Sequence, residues 1–338
     1  MKIASLPLLA RREFITLFGG AVAVWPLAAR AQQAERVRRI GALIGFAETD
    51  SYGQASANAF RQGLKQLGWV EGRNIRVDYR FAAGDPTLYK TYADELVGLR
   101  PDAILAGATP AVAVLQPMTR TIPIVFVLTA DPVGQGFVQS LARPGGNITG
   151  FGVYVAPMMA KWLGLFKEIA PGLRHVAVIF NPDNASFAKL FNQAIEAAAQ
   201  SLGVSVTLAP VHDDAAIEAA IAAQAQQPGG GVIVLPDSFV ITHRKTIIAA
   251  AARYRLPTFG MNDLFPRDGG LMSYSIDSVG TYRQGASYIN RILKGTNPAD
   301  LPVQEPTKFL LILNAKTAKE LGLDVPVHLQ QLADKVIE

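Results

Sequence analysis

The chain contains no cysteine. That excludes a disulfide framework, a thiolate metal site and a cysteine nucleophile. It also leaves nothing behind the N-terminal segment to carry a lipid. Histidine is scarce: the four, at 175, 212, 243 and 328, never pair at metal-ligand spacing. H-E-x-x-H, the P-loop, G-x-G-x-x-G and G-x-S-x-G are all missing. The sequence therefore announces no zinc hydrolase, nucleotide cradle or serine nucleophile, and no metal or cofactor is expected. Carboxylates are scattered along helices, where solvated faces account for them. No apolar run after residue 31 is long enough to cross a membrane.

Charge of one sign is also scarce once the N-terminus is set aside. Lys2, Arg11, Arg12 and Arg30 against Glu13 account for +3 of the net +5, so residues 32–338 carry about +2. Such a chain shows no electrostatic footprint for nucleic acid. Residues 1–31 read as an address. Arg11-Arg12-Glu13-Phe14 precedes a short Gly- and Ala-rich apolar stretch, and Ala29-Arg30-Ala31 puts small residues where a signal peptidase reads. The arginine pair resembles a twin-arginine export signal. The expectation is a soluble periplasmic protein beginning at Gln32; the alternative is a buried N-terminal helix.

What the rest of the chain has is alternation. Apolar runs at Arg39–Ile44, Ala103–Ala106 and Ile122–Leu128 read as buried strands, and Ile75, Val77 and Tyr79 alternate as another. Between them, Phe60, Leu64 and Leu67 recur on one helical face. Asp85-Pro86 and Thr109-Pro110 each combine a capping residue with proline at a helix start. A short helix is expected near Phe137–Leu141. The plan then begins again: helices at Met158–Ile169, Phe187–Leu202, Ala215–Gln226 and Thr242–Tyr254, with strands at Val176–Phe180, Val204–Leu208, Gly231–Leu235 and Pro257–Met261. Tyr282–Leu293 reads as a helix and Lys308–Leu313 as a strand. The fold class is α/β: two Rossmann-like lobes with parallel sheets, covered on both faces.

In such lobes a ligand sits outside the carboxyl ends of the strands. The residues at those exits are the candidates for binding. They are Phe46, Asp50 and Tyr52 after the first strand, Thr109 at a helix start, Asp131 after the fourth strand, Asn184 and Ser186, Asp237, and Asn262. Thr109 marks a helix N-terminus suited to a carboxylate, although it could simply cap its own helix. Asp131 could meet a ligand ammonium, or shape the turn before Pro132. Asn184 could equally be a cap. Asp237 directly follows an apolar strand, which favours a place in the cleft. Phe46, Tyr52, Phe187 and Phe239 could supply apolar walls.

Several stretches are more specific. They are Phe60-Arg61-Gln62-Gly63-Leu64, Gly68-Trp69-Val70-Glu71-Gly72-Arg73-Asn74, Ile122-Pro123-Ile124-Val125-Phe126, Asp131-Pro132-Val133-Gly134, and Leu141 through Gly150. Ile292-Leu293-Lys294-Gly295, Pro306-Thr307-Lys308-Phe309 and Ala318–Leu323 extend the pattern. Together they resemble the ABC-transporter substrate-binding family that includes the periplasmic tryptophan- and tyrosine-binding proteins. The resemblance implies a type I periplasmic-binding-protein fold whose lobes close like a hinge.

It implies an N-terminal lobe of 37–151 plus 277–305 and a C-terminal lobe of 152–276 plus 306–338. Crossings are expected near Gly150–Tyr154, Ser273–Asp277 and Glu305–Lys308. It also implies a monomer that captures a small molecule, an amino acid or related metabolite, for an ABC permease in the inner membrane. The loop Gly45–Gln54 departs from the pattern of the tryptophan binders, so the ligand's side chain does not transfer. Two alternatives stay open: a sensory protein that presents its ligand to a receptor, and a periplasmic hydrolase using Asp131 or Asp237.

Overall fold

The computed structural model describes residues 37–153 and 158–338. The expected export segment, its cleavage point before Gln32, and Tyr154 at the first crossing lie outside these residues. The first lobe is built from β1 (Arg38–Ile44), α1 (Ser51–Gln66), β2 (Ile75–Phe81), α2 (Pro86–Gly98), β3 (Ala103–Gly107), α3 (Thr109–Met118), β4 (Ile124–Thr129) and β5 (Ile148–Gly152). Its strands lie in the order β2-β1-β3-β4-β5, and every pairing is parallel. β3 and β5 are buried at every position, because helices cover both faces. Local chemistry sets the helix starts. The Asp85 carboxylate accepts from Thr87 N at 2.7 Å, just where Pro86 opens α2.

The second lobe follows with α4 (Met158–Ile169), β6 (His175–Phe180), α5 (Ala188–Leu202), β7 (Ser205–Pro210), α6 (Asp214–Ala225) and β8 (Gly230–Val234). It continues through α7 (Ser238–Thr242), α8 (Arg244–Arg253), β9 (Thr258–Gly260), α9 (Leu264–Arg267) and β10 (Met272–Ser275). Trp162, wholly buried, packs with Phe191 and Phe259 at its centre. The chain then returns to the first lobe as α10 (Ser278–Leu293), which lies along α1. There Gly63 approaches so closely that a Cβ would come within 2.8 Å of the Ala286 methyl. Finally β11 (Leu310–Asn314), α11 (Ala315–Leu321), α12 (Val327–Leu332) and β12 (Lys335–Ile337) complete the second sheet, in the order β12-β11-β10-β9-β8-β6-β7. The chain thus passes between the sheets three times, after β5, after β10 and before β11.

Three sequence expectations need correction. The second sheet is not wholly parallel: β11 runs antiparallel to β10, pairing Ser273 with Ile312. The chain leaves β10 and comes back to β11 at the same end of the sheet, so β11 can only run the other way. Thr242–Tyr254 is not one helix. It breaks at His243, which closes α7 and opens α8. Phe137–Leu141 is a set of turns, because Phe137 N and Val138 N both donate to Pro132 O and Gly136 takes φ +70°.

Candidate ligand cleft

The carboxyl ends of the parallel strands in the two lobes face each other, and a cavity lies between them. Phe46, Tyr52, Ala108 and Leu128 line it from the first lobe, and Pro236, Ser238, Ile241, Met261 and Asn262 from the second. Val153 and Ser278, beside two of the crossings, close the back. With the lobes together only about 30 Å³ of it stays free, room for little more than one water molecule.

Each wall has a local cause. The Asp50 carboxylate caps α1 by accepting from Tyr52 N at 2.7 Å. This sets Tyr52 edge-on to Phe46, with ring centroids 4.7 Å apart. β3 leaves the sheet through a strained residue, and β4 bulges at another just before its last pairing. Ala108 has φ +82°, ψ 159° and Leu128 has φ +58°. Conformations of this kind cost a side-chain-bearing residue about 1–3 kcal/mol, and they gather at ligand sites. Ala108 is also the N-cap of α3 and makes no side-chain bond to it. Thr109, expected as the cap, instead accepts from Ala130 N at 3.1 Å and ties the exits of β3 and β4 together.

The lobes stand closed on one another, bonded directly across the cleft. Tyr89 donates from its hydroxyl to Ser238 Oγ at 2.9 Å, and Asn184 Nδ2 donates to Gly84 O at 2.7 Å. Ser186 meets Gln135. Arg244 of the second lobe, with 3% of its side chain exposed, reaches Asp50 Oδ2 at 2.7 Å and its own lobe's Asp268 at 2.7 Å. Burial works against the Arg244 charge, but these two carboxylates hold its pKa above the ordinary value.

Comparison with known proteins points the same way. A family model described as ABC transporter substrate binding protein matches residues 42–337. This chain belongs to that family. It is 24% identical over 265 residues to a tyrosine-binding protein of Clostridioides difficile, covering 78% of this chain and 75% of the relative. A conserved domain protein from Vibrio cholerae shares its fold at TM-score 0.82 and 29% identity, over 89% of this chain and 100% of that one. An ABC domain from Streptococcus pneumoniae, crystallised in complex with L-Trp, superposes at TM-score 0.81 and 24% identity, over 89% and 99%. The type I periplasmic-binding-protein fold expected from the sequence is thus the fold observed.

Within this substrate-binding protein, Phe46, Tyr52 and Asn262 of the sequence candidates reach the cavity wall. Asp50, Asn184 and Ser186 join the lobes instead. Asp131 is turned away: at φ +42° it accepts from Gly134 N at 2.9 Å and shapes the turn before a side crevice. Asp237 is buried in the second lobe, where Asn181 N and Val240 N donate to its two oxygens at 2.9 Å each. Neither acid expected for a hydrolase lines the cavity. Sequence reasoning did not single out Ala108, Leu128 or Arg244. The strand-to-helix junction before Thr109-Pro110 pointed at Ala108; Arg244 carried no signal.

Asp237 has a measurable consequence. Burial pushes its carboxyl from 3.8 up to about 7, against the pull of the Val240, Asn181 and Phe239 amides. A carboxyl raised in the fold binds its proton more tightly there. It therefore favours folding below its unfolded pKa and loses that contribution as pH climbs to about 7. Relative to the parent, Asp237→Asn should gain about 2–4 kcal/mol between about pH 4 and about pH 8. Urea unfolding at each pH reads the difference. A flat difference would mean that the native protein holds Asp237 ionised throughout.

Proposed function

We propose that this protein is the periplasmic ligand-capturing component of an ABC importer. It closes its two lobes on one small molecule, an amino acid or related metabolite, and the closed form docks on an inner-membrane permease as a monomer. The observation that carries the reading is the cavity between the two lobes at the strand ends, with direct bonds between the lobes around it. Family membership and the amino-acid ligands of the two named relatives support the same ligand class. Residues 1–31 supply the export address. Among the described residues, no helix is long and apolar enough to cross a membrane.

Closure follows from differential binding. A ligand that touches only one lobe leaves the hinge equilibrium unchanged, whereas one that contacts both favours the closed state. The first test is a thermal-shift screen of residues 32–338 against amino acids, small organic acids and sugars. At a hundredfold excess over its dissociation constant, a bound ligand stabilises the fold by about 2.7 kcal/mol. A clear shift with a defined class is expected. No shift with any small metabolite would sink the reading.

A further inference from the structure

Closure needs two faces that fit, and on the second lobe part of that face is assembled from two separate segments. One is the start of α7. There Ser238 Oγ accepts from the Tyr89 hydroxyl at 2.9 Å, and the Phe239 backbone lies so near Gly84 that a Cβ on that glycine would meet it at 2.7 Å. The other is the loop after β6, from which Asn184 Nδ2 donates to Gly84 O at 2.7 Å. Both segments thus meet the first lobe at one place, the Ala83–Gly84 turn that follows β2. That turn is held in a costly shape. Ala83 has φ +52° and Gly84 φ +74°, and Gly84 N donates to Gly45 O at 2.9 Å. The turn enters a notch between Asn184 and Phe239, so its fit depends on how those two segments are set relative to each other.

Asp237 spans the notch from behind. Its Oδ1 accepts from Val240 N at 2.9 Å, and its Oδ2 accepts from Asn181 N, 56 residues back in the chain, also at 2.9 Å. The Asn181 side chain carries the placement onward: its Oδ1 accepts from Asp183 N at 2.9 Å and from Asn184 Nδ2 at 3.4 Å. One carboxyl group therefore ties both segments together. A helix cap needs only one oxygen. The second oxygen serves a loop from a different strand, although burying a carboxyl group is unfavourable. A tie between segments accounts for both oxygens; a cap accounts for one. Asp237 itself is 2% exposed and does not line the cavity.

We infer that Asp237 is a positioning residue for ligand capture: it sets the notch that receives the Ala83–Gly84 turn, and so controls how firmly the lobes close on a ligand it does not touch. The inference rests on the proposed capture function and adds to it a residue outside the cavity.

The test is a double-mutant cycle on residues 32–338. It is read by titration calorimetry with the tightest binder among L-tyrosine, L-tryptophan, L-phenylalanine and L-leucine. Asp237→Ser keeps an oxygen to cap α7 but is too short to hold Asn181 as well. Asn184→Ala removes the bond to Gly84. Each should weaken binding about tenfold, as the loss of a buried hydrogen bond does. Because Asp237 acts by placing Asn184, the double variant should bind about as weakly as either single one, rather than about 100-fold worse than the parent. Asp237→Asn is the second variant, for the case in which the serine protein folds poorly. It keeps one acceptor, turns an amino group toward the other amide, and should behave in the same way. A role confined to folding would move the urea midpoint and leave affinity alone. Parent-like affinity in the Asp237 variants overturns the inference, and so do losses that multiply in the double variant; in both cases the capture function stands. A parent protein that binds none of the four amino acids overturns the inference together with the amino-acid reading beneath it.

Discussion

Asp50→Asn should weaken ligand binding about 10- to 100-fold while leaving the ligand-free protein nearly as stable as the parent. The Asp50 carboxylate does two things. It caps α1 through Tyr52 N, and it reaches across the cleft to the buried Arg244. Asparagine keeps the first role, because its carbonyl oxygen is as good a cap. It loses the second, because its amino group faces a guanidinium. In the open form Arg244 retains Asp268, so the second lobe is undisturbed. The loss therefore falls on the closed state alone. A hydrogen bond to a charged partner contributes about 1.5–3 kcal/mol, which sets the expected range. Titration calorimetry gives the affinity and urea unfolding the stability. Equal losses in both would mean that the pair holds the lobes' own folds together rather than their closure.

Gly84→Ala should do more, because it blocks closure sterically. Gly84 lies at φ +74°, and a Cβ there would come within 2.7 Å of Phe239 Cα and 2.8 Å of Phe239 N in the opposite lobe. Backbone cannot swing aside as a side chain can, so the lobes must stay apart. Overpacking of this kind costs about 1–3 kcal/mol, the upper end where backbone meets the new atom, and it falls on the closed form alone, whereas the cost of a side chain at positive φ is shared by the open and closed forms. Affinity should fall by roughly 100-fold or more. Gly72→Ala is the control. It has φ +80° with nothing within 4 Å of the new Cβ, so it carries the conformational cost without the clash. Gly72→Ala should bind as the parent does.

Much of the architecture could be read from the chain because local signals agreed with one another. Asp85-Pro86 opens a helix by chemistry that needs no tertiary partner, and runs such as Ala103–Ala106 have only one comfortable place, the middle of a covered sheet. Features that depend on where distant segments arrive could not be read. The reversal of β11 follows from the end at which the chain re-enters the second lobe, which no local pattern encodes. The break at His243 was hidden because Thr242 through Thr246 hold neither glycine nor proline to mark it.

The cleft was half legible for a similar reason. Strand exits mark where a ligand can sit, so Phe46, Tyr52 and Asn262 could be placed on the cavity wall. They do not say where a short polar side chain turns. Asp, Asn and Ser satisfy backbone amides as readily as they meet ligands, and Asp131 and Asp237 are used in that way. Arg244 looked like one more solvated charge on a helix. Its burial between two carboxylates from different lobes exists only in the assembled, closed molecule.

The central claim is that the lobes close on a ligand. The absence of native cysteine allows clean labelling. Lys90→Cys and Ala215→Cys place spin labels at exposed positions, one on each lobe, for measurement of the distance between them by pulsed electron resonance. With the ligand identified by thermal shift, the distance distribution should move from a long, broad one to a short, narrow one on saturation. The Gly84→Ala protein should keep the long distance under the same conditions. A distribution that stays the same in the parent with ligand bound would contradict capture by closure.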